Sequence, residues 1–155
     1  MKAMKTMGID YGDKRIGLAI SDDTGFLASP IPTLKVNSLA DAVSKIQRII
    51  KNQKIARVVL GLPLGPKREE TQKSIQIRYF ADALKTTNGA EIDFWNEYYS
   101  TKSAQQNLAA GTKRKKRNLD SEAARIILQE YLDNIKTPKD KFFPQGYDQL
   151  LMNAP

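Results

Sequence analysis

The chain has no histidine and no cysteine among its 155 residues, and these two absences exclude much chemistry at once. Without histidine there is no Ser-His-Asp triad, no imidazole general base, no HExxH zinc centre and no histidine-ligated iron. Without cysteine there are no disulfides, no thiolate nucleophile and no thiolate zinc site. The chain also lacks an apolar run of about 18 residues and any signal-peptide pattern, so a soluble cytoplasmic protein with no membrane contact is expected. Demanding hydrolysis is left to carboxylates holding a hard metal, or to lysine or tyrosine.

A hydrophobic content of 41% over this length suits one domain with a real core. The net charge of +8, with a pI near 9.6, points to a polyanionic partner, because Lys and Arg laid along phosphates release condensed counterions. Nucleic acid is the first candidate. The charge is concentrated in Lys113, Arg114, Lys115, Lys116 and Arg117, where self-repulsion predicts a solvated loop. Such a run also serves simply as a solubilising surface.

Three acids stand out. Asp10 ends the short strand pattern Met7-Gly8-Ile9-Asp10 and shares its parity with Gly8 and Gly12, small residues that leave room for something to approach. Asp is depleted from strands and costly to bury without partners. Glu97 falls within a second strand-like run, Ile92 to Tyr98. Asp120 opens the most regular helical pattern, to Ile135, in which Ala124, Ile127, Leu128, Tyr131 and Leu132 form the apolar stripe, and Asp120 lies four residues before Ala124 on that stripe. An acid at a helix start also has an ordinary explanation as an N-cap.

Residues 4 to 11 and 15 to 21 read as strands joined through Gly12-Asp13, and Leu27 to Val36 as a third, with Pro30 and Pro32 marking an edge. A helix follows Ser38, then a buried strand from Arg57 to Leu62, a Pro-Gly loop, a helix from about Glu69 to Lys85, the strand containing Glu97, and a short helix from Ser100 or Thr101 to about Ala110. This order predicts an α/β fold with a five-stranded mixed sheet, its first three strands antiparallel, flanked by helices. The domain is expected over residues 1–136, followed by a Pro- and aromatic-containing tail over 137–155. The first strand should be central, with Asp10 and Glu97 near the carboxyl ends of strands, where open α/β sheets place their ligands.

The runs Gly8-Ile9-Asp10-Tyr11-Gly12-Asp13-Lys14-Arg15-Ile16-Gly17-Leu18-Ala19, Gly61-Leu62-Pro63-Leu64, Asn96-Glu97 with Ser100-Thr101, and Leu119-Asp120-Ser121-Glu122-Ala123-Ala124 together resemble the YqgF/RuvX family, in its order and at its spacing, over residues 4 to about 133. The resemblance implies a ribonuclease H-like fold related to the RuvC resolvases. It also implies nuclease activity, in 5′-end processing of pre-16S rRNA or in resolving Holliday junctions, and makes Asp10, Glu97 and Asp120 the acidic triad. The chain departs from the family at Asn96 and Tyr98, where an acid and an arginine are usual, and in the more basic loop Gly65-Pro66-Lys67-Arg68.

Converging acids need cations. Two carboxylates about 4 Å apart repel by roughly 4 kcal/mol at an effective dielectric of about 20. Magnesium or manganese suits an all-oxygen site, and two ions about 3.5 to 4 Å apart would serve in-line displacement, Asp10 bridging them. Lys14, Arg15, Lys67, Arg68 and the run 113–117 are candidate phosphate contacts. Trp95, Tyr98 and Tyr99 are candidates for base stacking or for the core. The expected partners are pre-rRNA, branched DNA or ribosomal precursor particles. No dimer surface is legible, although junction resolution would call for a symmetric pair of sites. A non-catalytic RNA-binding factor on the same scaffold remains an alternative. An actin-like ATP site would need a second domain that this length cannot supply.

Overall fold

The computed structural model describes residues 4–85, 89–96 and 116–136, with main chain alone at 116–118 and 136. Its elements are β1 (Thr6–Asp10), β2 (Arg15–Ser21), β3 (Ala28–Lys35), α1 (Leu39–Gln53), β4 (Arg57–Leu62), α2 (Gln72–Lys85), β5 (Glu91–Asn96) and α3 (Lys116–Lys136). The sheet order is β3-β2-β1-β4-β5. β1 pairs with β2 and β2 with β3 antiparallel, whereas β4 runs parallel to both β1 and β5. The sheet is thus mixed, with β1 central and the proline-bearing β3 on an edge, as the sequence predicts. No helix among the described residues is long and apolar enough to cross a membrane.

Alternation along the strands sorts the two faces. Met7 and Ile9 of β1, Ile16 and Leu18 of β2, and Val58 and Leu60 of β4 form one core with Ala42, Ile46 and Ile50 of α1 and Ile77, Phe80 and Leu84 of α2. On the other face Ala19 and Ala28 meet Ala124, Leu128 and Leu132 of α3, while Val59 meets Ile127 and Tyr131. The small residues explain how closely α3 lies. A Cβ added at Gly8 would sit 2.7 Å from the Leu128 Cβ and 2.9 Å from the Ala124 carbonyl oxygen. What approaches the small face of β1 is therefore this helix.

Local chemistry sets the ends of α1. The Ser38 side chain accepts a hydrogen bond from the Asp41 amide at 3.0 Å, and Lys54, left-handed at φ 55°, turns its N–H back to the carbonyls of Ile50 and Lys51. Two other boundaries differ from expectation. Helix α2 begins at Gln72 rather than near Glu69, because Thr71 and its neighbours are tied into the preceding loop. Helix α3 begins at Lys116, four residues before Asp120. Asp120 is then an interior helical residue rather than a cap, and Lys116 and Arg117 are helical rather than part of a solvated loop. The helix expected near 100–110, the aromatics Tyr98 and Tyr99, Glu97, Lys113, Arg114, Lys115 and the 137–155 tail lie outside the described residues.

At its far end α3 is pinned to the sheet through Tyr131. The buried phenol donates to Asp93 Oδ2 at 2.8 Å and accepts from Arg57 Nη1 at 3.2 Å. Burial first, and then the bond to Asp93, hold its pKa above the usual phenol value. Tyr131→Phe removes both bonds and leaves Asp93 and Arg57 short of a partner. It should lower unfolding free energy by about 1–2 kcal/mol, read as a lower urea midpoint at unchanged slope, with no effect on the chemistry at the opposite end of the sheet.

Candidate active site

Asp10 is the last residue of β1 and pairs directly with Gly17 of β2. Alternation from Gly8, whose open side meets Leu128, places Asp10 on the α3 face. Gly17 is where α3 comes to rest. A Cβ there would fall 1.9 Å from the Asp120 carbonyl oxygen, 2.2 Å from its carbonyl carbon and 2.9 Å from the Ser121 nitrogen. Residues directly opposite in an antiparallel pair have Cα atoms about 4.5–5.5 Å apart. The main chain at Asp120 therefore rests on the residue facing Asp10, and two acids far apart in sequence share one end of the sheet.

The start of α3 is tethered on its other flank. Ser121 Oγ donates to the Ile31 carbonyl at 2.7 Å and shares a 2.8 Å hydrogen bond with Thr33 Oγ1. Both partners lie on β3, so the edge strand fixes the helix over the sheet. The ladder between β2 and β3 is irregular between Ile16 and Leu18, beside Gly17. Arg15 lies two residues before Gly17 on the same face, with its Nε 3.5 Å from Asp120 Oδ2 in a partly exposed pair. That pair gives Asp120 a local countercharge, worth little in stability at this exposure.

β4 and β5 end level with this site, Leu62 pairing with Asn96. Asp93 and Trp95 point toward α3, where Trp95 Nε1 donates to Glu130 at 3.0 Å. Trp95 also packs edge-on against Tyr131 at 6.1 Å between centroids, so it belongs to the core rather than to an open stacking surface. Ile92 and Phe94 alternate onto the α1 and α2 side, and Asn96 shares their parity. The departure at Asn96 thus falls on the face away from Asp10 and Asp120.

After β4 the chain forms a tight loop. Gly65 donates to the Glu69 carbonyl at 2.9 Å, Arg68 to the Gly65 carbonyl at 2.8 Å, and the Lys67 amide to Glu69 Oε2 at 2.7 Å. Thr71 Oγ1 donates to the Pro63 carbonyl and accepts from the Ser74 amide, at 2.8 and 3.0 Å. The Glu70 carboxylate is held below the usual range, first by the Ser74 hydroxyl and then by Arg78. Lys67 and Arg68 stand exposed on this loop, with Arg68 at φ 61°. Lys14 closes the β1–β2 turn and Arg15 begins β2; in that turn Tyr11 has its pKa raised by burial and then by the charge of Asp13. Lys14 and Arg15 at the start of β2, and Lys67 and Arg68 on the loop, are therefore two cationic groups at the carboxyl end of β1.

Asp10 and Asp120 offer oxygen donors only, a set that suits hard divalent ions. Among the described residues no three metal-ligating side chains cluster, and the third predicted acid, Glu97, lies one residue beyond the last described residue of β5. Sequence reasoning missed the contribution of Gly17. Its signal was present as the small parity of β2, Gly17, Ala19 and Ser21, facing a helix with a small residue at Ala124.

Residues 4–134 match the family model described as RuvX, Holliday junction resolvase. A protein of Myxococcus xanthus named "Putative pre-16S rRNA nuclease" is 34% identical over 148 residues, 94% of this chain and 98% of that one. A protein of the same name from Syntrophomonas wolfei is 37% identical over 140 residues, covering 88% and 99%. Among solved structures, T. thermophilus RuvC in complex with a Holliday junction substrate aligns with a TM-score of 0.56 at 12% identity, over 86% of this chain and 97% of that one. The fowlpox virus Holliday junction resolvase aligns at 0.53 and 15% identity, over 85% and 99%. These two likenesses show the fold, which is the ribonuclease H-like fold expected from the sequence.

Proposed function

We propose, from the premise that this chain belongs to the RuvX family, that it is a divalent-metal-dependent nuclease that hydrolyses phosphodiester bonds in 5′-end processing of pre-16S rRNA. The observation that carries the reading is the seat of α3 on Gly17, which brings Asp120 beside the strand position opposite Asp10. The rRNA substrate is taken from the name the relatives carry. Excess positive charge supports a nucleic-acid partner.

Asp10, Asp120 and Glu97 would hold the metal. Glu97 has the sequence parity of Asp93 and Trp95, the β5 residues turned toward α3. A pair of Mg²⁺ or Mn²⁺ ions would supply charge neutralisation and would lower the pKa of the attacking water, so that it gives up its proton more readily as it attacks phosphorus. The residues of the chain do the positioning. Ser121, Thr33 and Gly17 fix the start of α3 against the sheet, so the Asp120 carboxylate is held without reorganisation during reaction. Arg15, already beside Asp120, would offer charged donors to the phosphate that enters. Lys67 and Arg68, with Lys14 and the 113–117 run, would hold the flanking backbone. Attack by water in line with the 3′ oxygen leaves 5′-phosphate and 3′-hydroxyl ends.

The test is cleavage of a defined pre-16S rRNA fragment beside a four-way DNA junction and single strands, in Mg²⁺ and in Mn²⁺, with the ends mapped. The expected outcome is scission of the RNA with 5′-phosphate products, abolished by EDTA and restored by excess metal. Calorimetric titration of Mn²⁺ into the protein should show binding that Asp120→Asn weakens. Cutting of the junction alone would move the assignment to junction resolution. Tight RNA binding without scission in either metal would make the chain a non-catalytic RNA-binding factor.

A further inference from the structure

Lys35, which no motif singles out, stands directly opposite Arg15 in the pairing of β2 with β3. Directly opposed residues of an antiparallel pair project to the same face. Here that face is the one turned to α3, because Arg15 reaches Asp120 and Thr33, two residues before Lys35, reaches Ser121. Two like charges facing each other across a ladder are destabilising. Arg15 has Asp120 as a partner; Lys35 is exposed and takes part in no ion pair among the described residues.

The main chain holds this cationic pair firmly. The Val36 amide donates to the Lys14 carbonyl at 2.9 Å, joining the β1–β2 turn to the end of β3. Lys45 Nζ donates to the Lys35 carbonyl at 2.7 Å while pairing with Asp41 at 3.1 Å. Asp41 is therefore already engaged. Lys14, Arg15 and Lys35 thus form one rigid cationic corner at the site end of the sheet. Lys35 lies two interstrand spacings, about 10 Å, from the strand that carries Asp10.

We infer that Arg15 and Lys35 together seat a backbone phosphate of the substrate strand close to the scissile one, so that the nucleic acid leaves the acid pair across the edge of β3. The inference rests on the nuclease reading above and deepens it, giving the strand a direction over the sheet. An anion between the two side chains relieves their mutual repulsion, and Arg15 is the pivot between the acid pair and the seat. Such a seat requires an oligonucleotide with at least one phosphate beyond the cleaved linkage.

The test uses the full chain with a labelled oligonucleotide substrate. Lys35→Ala should lower the magnitude of the slope of log Kd against log salt by ~0.7 on a single strand or ~0.9 on a duplex. KM should rise several-fold with kcat unchanged, and Lys35→Arg should restore both. Lys51→Ala, which removes the same charge from the last turn of α1 on the other face, should leave the slope as it was. A substrate scanned with single neutral methylphosphonates should show one position that costs the wild type more than it costs Lys35→Ala, the residual loss in the variant being the contact that Arg15 still makes. An unchanged slope and KM in Lys35→Ala, or additive losses at every scanned position, would overturn the seat. The slope needs no turnover, so the two readings fail separately: a changed slope without scission by the wild type would sink the nuclease activity alone.

Discussion

Asp10→Asn should abolish cleavage while leaving folding and nucleic-acid binding intact. The substitution is isosteric, and it falls at the end of β1 at a half-buried position rather than in the core. What it removes is one negative charge from a site whose proposed chemistry depends on gathering metal between acids. A thousandfold loss, on the order of 4 kcal/mol of transition-state stabilisation, is the minimum expected of a residue proposed to hold the metal. Binding should hold or tighten, because one repulsive charge near the phosphates is gone. The melting temperature should hold or rise, since the repulsion between Asp10 and Asp120 is relieved. Single-turnover cleavage, fluorescence anisotropy and a thermal melt measure the three quantities independently. Full cleavage by this variant would remove the acid site as the seat of chemistry, whatever its effect on stability.

The parts of this arrangement legible in the sequence were those carried by periodicity and breakers. Pro30 and Pro32 marked β3 as an edge, because each lacks a donor for a second neighbour. The run Arg57–Leu62 read as a buried strand because both of its faces are covered, by α2 on one side and α3 on the other. The stripe through Ala124, Leu128 and Leu132 pointed Asp120 at the sheet, and the structure lays that stripe on Ala19 and Ala28. The resemblance to known nucleases then agreed with what the faces of the elements already indicated.

The misreadings came from long-range packing that local rules do not contain. Five consecutive cations argued for an open loop by self-repulsion, yet the helix begins at Lys116. Lys and Arg are good helix formers, and once Ala124 and Leu128 are docked each added turn costs little. The same extension removes the capping explanation for Asp120. Gly8 and Gly17 were legible as small, but only the fold shows that the space beside them belongs to α3. Lys35 had no local signal, because its relation to Arg15 exists only in the register of β2 against β3.

Gly17→Ala should be the most damaging glycine-to-alanine change among the described residues. Its Cβ would lie 1.9 Å from a carbonyl oxygen and 2.2 Å from a carbonyl carbon, and both belong to the backbone of a 21-residue helix. A clashing side chain can turn aside, but this helix can only lift, and lifting opposes the Ser121 bonds to β3 and the packing of Ala124 on Ala19. Overpacking of this kind costs about 1–3 kcal/mol where side chains absorb it, and more is expected where they cannot. Activity should fall further than stability. The displaced atoms are those of Asp120 itself, and a shift of about 1 Å in a catalytic group can cost on the order of a hundredfold in rate. Gly89→Ala is the matched control, since a Cβ there meets nothing within 4 Å. Thermal melts of both variants, with cleavage measured well below the lower midpoint, separate the fraction folded from the misplacement of the acid. Wild-type melting and cleavage in Gly17→Ala would mean that α3 does not rest on β2 at this residue. The proximity of Asp10 and Asp120, and with it the metal site, would then be lost.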